Sequence, residues 1–140
     1  MAKKMLKIKP FIKLDIQLGE IITIGQTKEG YLKIIPIISG TVSGDLKGKV
    51  LNYGGDVNYK NDEIYSVANA TYIIQTNSGE NVLVHNVGKI NKNIPMLTSP
   101  SFIASQEGPY KSLNYRHFVG RIVSGNLSKI EIIIYEILDT

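Results

Sequence analysis

Asp56 follows two glycines, Gly54 and Gly55, and ends a glycine-rich stretch that includes Gly40, Gly44 and Gly48. Glycine inside a strand gives up packing and backbone entropy, so it marks a bend, a bulge or close approach of a ligand. A carboxylate there has two readings. It is a turn residue that satisfies neighbouring backbone N–H groups, or it stands at a barrel mouth as acid, base or ligand anchor. Arg116 is the second candidate. It and Arg121 are the two arginines of a lysine-rich chain. A guanidinium fork grips carboxylate or phosphate through two parallel hydrogen bonds. The plainer reading is a surface cation plus a structural salt bridge. Strict alternation puts the two on opposite faces, and a bulge at Gly120 would bring them together.

His85 and His117 are the two histidines. With Asp56 they lack the close spacing of a metal triad, so no metal is expected. His85 joins the candidate ligand-binding residues with Tyr72, Tyr110 and Asn114, polar groups in apolar strands or beside a motif discussed below. Buried hydroxyls and amides need partners. They form a hydrogen-bond network, or a polar lining that orients a small ligand. As a catalytic set, Asp56 would move a proton while Arg116 or Asn114 steadies a developing oxyanion. That chemistry is isomerisation, cyclisation or elimination, with no cofactor. Residues 44–49 resemble a phosphate loop faintly, but no Ser/Thr follows the lysine and no helix is expected after it. No nucleophile-elbow pattern occurs. With no cysteine, thiol nucleophiles, disulfides and thiolate metal sites are excluded.

Strands must position these groups. Even positions Leu6, Ile8, Ile12, Leu14 and Ile16 alternate with Lys7, Lys9 and Lys13, which predicts a long strand over 6–18 with lysines in solvent. Lysines on the outer face argue against a membrane barrel. Further strands are expected over 21–24, 31–42, 46–51, 64–75, 81–87, 101–105, 114–123 and 129–138, with 89–99 as loop. No segment carries a helical period. Eight or nine strands joined by short turns predict an all-β chain, a single antiparallel up-and-down β-barrel spanning 1–140, with a sandwich as the alternative. Residues 31–42 and 129–138 are apolar on both faces, which predicts a covered outer face and a homo-oligomer.

The chain has 140 residues and a net charge of +4. The lysines are scattered, and the aromatics are mostly single tyrosines in apolar strands, so a nucleic-acid partner is disfavoured. No run approaches the ~18 apolar residues of a membrane helix. Lysines interrupt the first residues, which predicts no signal peptide. The expected location is cytoplasmic.

Several motifs resemble a bacterial and fungal family, domain of unknown function 3237. They are Leu18-Gly19, the strand into Gly40-Thr41, Gly48, and Gly54-Gly55-Asp56. Ala70-Thr71-Tyr72, the hairpin Thr76-Asn77-Ser78-Gly79, Leu113-Asn114 and Phe118-Val119-Gly120 complete the set. Thr71 stands where that family commonly has arginine, and Val57-Asn58 where a tryptophan often follows the acid. The resemblance implies a soluble antiparallel β-barrel and no established activity. It also strengthens the functional reading of Asp56. The leading expectation is a barrel that binds a small molecule; if catalytic, it would use acid–base chemistry without a cofactor. The alternative is a non-catalytic carrier or sensor with the same cavity. A nucleic-acid barrel ranks third.

Overall fold

The computed structural model describes residues 4–91 and 93–139. Nine strands follow in order: β1 (Leu6–Leu18), β2 (Ile22–Thr27), β3 (Gly30–Gly44), β4 (Gly48–Lys60), β5 (Ser66–Thr76), β6 (Asn81–Ile90), β7 (Leu97–Ile103), β8 (His117–Gly125) and β9 (Lys129–Asp139). All pairings are antiparallel, in the order β1-β9-β8-β7-β6-β5-β4-β3-β2, and β1 also pairs with β3. Eight strands therefore close a barrel, and β2 hangs on β3 outside it. Among the described residues there is no α-helix, and a single 3-10 turn, Lys111–Tyr115, lies between β7 and β8.

Alternation decides which side chains fill the interior. Leu14 and Ile16 of β1, Ile74 of β5, Val82 and Val84 of β6 and Ile134 of β9 are almost completely buried. Each such side chain contributes about 1.5–3 kcal/mol by leaving water. The lysine face of β1 is exposed as expected, but the register is not unbroken. A bulge between Pro10 and Ile12 buries Phe11 and Ile12 together. Leu6 and Ile8, expected inside, are 73% and 61% exposed. One extra residue in a strand reverses the parity before it, so Phe11 takes the inward place, and residues 6–10 beyond it are exposed on both faces.

Three other expectations are corrected. The strand expected over 46–51 begins at Gly48 and runs on to Lys60 as β4, so Asp56 lies within a strand and not in a turn. The presumed loop 89–99 contains the end of β6 and the start of β7. Asn114 belongs to the 3-10 turn, so it has no strand parity with Arg116, and β8 begins at His117. The β8–β9 register is regular through Gly120, so no bulge brings Arg121 round to Arg116. Ile38, Tyr31 and Val57 remain 40–48% exposed on the outside of β3 and β4.

The two ends of the barrel differ. One is plugged by Leu113 of the 3-10 turn and by Phe11, Phe102 and Phe118. Their ring centroids lie 4.8–6.1 Å apart. At the other end β3 and β4 run past the barrel with β2, and the interior opens.

Candidate functional site

The open end holds a cavity of about 670 Å³. Ile16, Ile37, Ile130 and Ile132 contribute apolar wall. Small side chains make the room: Ala68 and Ala70 of β5 face it. Cross-strand register orders the polar groups. Ala70 sits opposite Asp56 on one side and opposite Asn86 on the other. Strands stand about 4.8 Å apart, so Asp56 and Asn86 flank a gap of roughly 10 Å over a methyl group.

Asp56 reaches this wall because of the glycine before it. Gly54 has φ +143, and a Cβ there would collide with the Thr71 carbonyl oxygen. The β4–β5 register shifts between Val50 and Gly54, a bulge that bends β4 just ahead of the carboxylate. Asp56 Oδ1 accepts the Asn69 backbone N–H at 2.7 Å, and Oδ2 accepts from Asn58 Nδ2 at 3.2 Å. Burial raises the carboxyl pKa above its ordinary value, and those two bonds and the Lys33 charge oppose the rise only in part. Desolvation penalises the charged form, so Asp56 holds its proton more tightly than a surface aspartate.

Three residues of the cavity wall carry buried polar atoms. Tyr72 Oη, Asn86 Oδ1 and Thr98 Oγ1 are buried and have no hydrogen-bond partner among the described residues. All three residues line the same cavity. Burial pushes the Tyr72 phenol well above its usual range, so it remains a neutral hydroxyl at any ordinary pH. Buried polar groups are normally paired, and three exceptions on one wall set this end apart from the plugged one.

The site residues expected from sequence separate into three places. Asp56 and Tyr72 share the cavity. Arg116, Asn114 and Tyr110 belong to the plugged end. Arg116 grips Glu136 through Nε at 2.6 Å and Nη2 at 2.8 Å. It also stacks over Phe11 and Phe118, 5.0 and 5.6 Å from their centroids. That fork raises the arginine pKa further and holds the Glu136 carboxyl below its ordinary value. Asn114 clamps the chain: Oδ1 accepts the Ala104 N–H, and Nδ2 donates to the Ala104 and Lys111 carbonyls. Tyr110 packs against the core beside them. His85 is exposed on the outer wall, with Nε2 2.7 Å from Asn69 Oδ1. The expected convergence of Asp56, Tyr72, Asn114 and Arg116 is therefore corrected: two of the four meet. Among the described residues no cluster of three His, Cys, Asp or Glu could hold a metal ion.

Asn58, Asn86 and Thr98 were missed in the sequence. Asn86 had a signal, since it continues the buried series Val82, Val84 at period two. Asn58 shares the parity of Asp56. Thr98 had none, because Asn91, Asn93 and Pro95 nearby read as loop.

The family described as Protein of unknown function (DUF3237) matches residues 6–95, and the chain belongs to it. A UPF0311 protein of Bradyrhizobium diazoefficiens is 35% identical over 83 residues, 59% of this chain. The match spans 55% of that relative's length. A conserved protein of unknown function from Rhodopseudomonas palustris has the same fold, with a TM-score of 0.86 and 25% identity. That comparison covers 96% of this chain and 99% of the other. An enzyme from Penicillium herquei shares the fold at a TM-score of 0.78 and 20% identity, over 95% of each chain. No helix of this chain, among the described residues, is long and apolar enough to cross a membrane.

Proposed function

We propose that this member of the family binds a small, largely apolar molecule inside the open end of its barrel, and that Asp56 moves a proton on it without a cofactor. The supporting observation is the coincidence of a partly buried carboxylate and three unpaired polar atoms in one apolar-walled cavity. A cavity of 300–1,000 Å³ with a few placed polar groups suits a drug-sized ligand. Leaving a buried donor or acceptor unpaired costs about 1–3 kcal/mol, so this wall gives up stability that the plugged end keeps. Burial raises the proton affinity of Asp56 above that of a surface aspartate, which favours a role in proton transfer. Arg116 and Asn114 are engaged at the plugged end and take no part in it. The reaction class is isomerisation, cyclisation or elimination. A protein of this fold from Penicillium herquei is an enzyme, so the barrel is compatible with chemistry. A carrier or sensor would use the same cavity and show no turnover.

Two variants test the reading. Ala70→Leu fills the gap between Asp56 and Asn86 and should abolish binding of any cavity ligand captured from a metabolite extract by native mass spectrometry. If the leucine variant captures the same molecule equally well, the cavity is not the site. Asp56→Asn should then lower turnover by about 10²–10⁴-fold in an enzyme and only weaken binding in a carrier.

A further inference from the structure

We infer that the ligand of the cavity is an amphipathic acid, with its apolar body inside the barrel and its one anionic group at the lip, between Lys33 and Lys60. The inference rests on the binding reading above and names the ligand class. The cavity does not end at the barrel rim. It passes into a second, open basin of about 810 Å³, and Asn58, Ser66 and Ile90 line both. Strand parity explains the continuity. From Asp56 outward the pairings of β4 with β3 and with β5 run without a shift, so Asn58 and Lys60 follow Asp56 on one face of β4. Four residues of strand place Lys60 roughly 13 Å further out than Asp56.

The character of the wall changes along this face. Inside the rim it is mostly apolar, and outside it is mostly polar and carries two lysines. Lys33 of β3 sits opposite Asn58, and Lys60 is two residues beyond Asn58 on β4. Diagonal neighbours on a sheet are about 7–8 Å apart, within reach of long side chains. Among the described residues neither ammonium forms an ion pair. Two carboxylates also border the basin, Asp62 and Glu63. Asp62 Oδ1 is already taken by the backbone N–H groups of Ile64 and Tyr65, each at 2.7 Å, and Lys60 acts on that carboxylate through space without pairing to it. Glu63 is exposed in the same loop. Two cations at diagonal spacing repel, and one oxyanion between them satisfies both.

The two zones together set the ligand class. A wholly apolar molecule fills the cavity and leaves the lysines to water. A cation at the lip meets two ammoniums. A compact anion deep in the barrel meets the Asp56 carboxyl, which repels it when ionised. A long apolar body with a terminal oxyanion buries the first part and keeps the second at the lip, two register steps or more from Asp56. Lysine is a flexible point charge without the fork of arginine. The lip therefore selects the charge, and a carboxylate and a phosphate monoester both meet it.

Matched probes with one apolar body test this: 5-phenylpentanol, 5-phenylpentylamine, 5-phenylpentanoate and 5-phenylpentyl phosphate, with their shorter and longer homologues, titrated by ligand-observed NMR against the full chain. At about 10 mM salt the acids should bind at least ~5-fold more tightly than the alcohol, and the preference should shrink at about 0.5 M salt. The carboxylate and phosphate arms show which oxyanion the lip prefers, and a preference for either supports the inference. The double variant Lys33→Met, Lys60→Met should bind the alcohol as the parent does and lose the preference for acids. Ala70→Leu should lose every probe. Equal binding of alcohol and acids by the parent overturns the inference and leaves cavity binding standing. A preference that survives in the double variant overturns it as well, because the charge is then met elsewhere. Acids held by Ala70→Leu as tightly as by the parent would mean that the lip binds anions alone, and no ligand spans the two zones. Binding of no probe overturns both the inference and the cavity reading.

Discussion

The plugged and open ends of the barrel use the same kinds of polar residue to opposite effect. At the plugged end each is saturated by the protein: Asn114 makes three bonds to backbone, and Arg116 holds both oxygens of Glu136. At the open end Tyr72, Asn86 and Thr98 carry polar atoms that nothing in the described protein meets. The difference teaches that residue type is a poor guide to chemistry in a β-barrel, and pairing is a better one. A rare arginine looked catalytic and is a strut. An unremarked threonine faces the cavity.

The largest test of this contrast is stability. Leu113→Ala and Phe118→Ala should each cost about 3–4 kcal/mol, because they empty a close-packed plug. Tyr72→Phe, in the open half, should cost under about 1 kcal/mol, since the lost hydroxyl has no protein partner to strand. Urea unfolding measures both. A loss of similar size at Tyr72 would mean that its hydroxyl is held as firmly as the plug, and the contrast would break.

Acid dependence gives the next largest effect, with opposite signs at the two ends. Glu136 has a folded pKa below its unfolded value, so its stabilisation is present above pH ~4.3 and is lost as pH falls through the folded pKa. Glu136→Gln should cost about 1–2 kcal/mol at pH 7, discounted for partial solvent access, and the gap from the parent should close below pH ~4. Asp56 has a folded pKa above its unfolded ~3.9. The folded state binds the proton more tightly, so stability falls as pH rises from ~3.9 through the folded pKa. Asp56→Asn should therefore be neutral or up to about 1 kcal/mol more stable at pH 7, with the gain fading in acid. Melting curves from pH 3 to 8 decide it. Parallel pH responses of the two variants would remove the distinction between strut and site.

Much of the fold was legible in the residues. Alternation located β1, composition and turn residues located β5, β6 and β9, and the glycine ladder announced the curvature that closes the sheet. What failed shares one cause. A bulge inserts a residue that local patterning cannot see, so Leu6 and Ile8 were assigned to the wrong face and Phe11 was missed as plug. Pairing partners also override loop-like composition: β7 forms beside β6 despite the Asn- and Pro-rich stretch before it. The site was half legible. Asp56 and Tyr72 announce themselves by glycines and by a hydroxyl in an apolar strand. Whether Arg116 or Asn114 is free depends on Glu136 and Ala104, residues 20 and 10 positions away. No local reading supplies that distance.

The smallest effect on the folded chain concerns the outer surface of the open end. β2 pairs only with β3, and no strand of the described chain covers its other edge. Ile22 and Ile24 on it are 55% and 57% exposed, beside Tyr31 of β3 at 48%. An exposed edge with apolar side chains favours pairing with another chain, and the rounded, closed strands of the plugged end offer no such edge. We expect self-association through β2 and the outer face of β3. Ile24→Lys should shift sedimentation to a ~15 kDa monomer at micromolar concentration. It should change unfolding by no more than about 0.5 kcal/mol, because the side chain is largely exposed. Probe binding in the cavity should be unaffected, since the edge and the cavity wall share no side chain. A parent protein that sediments as a monomer would rule out the interface. A lysine variant that dissociates and also loses the cavity probes would mean that the flared hairpin of one copy completes the mouth of another.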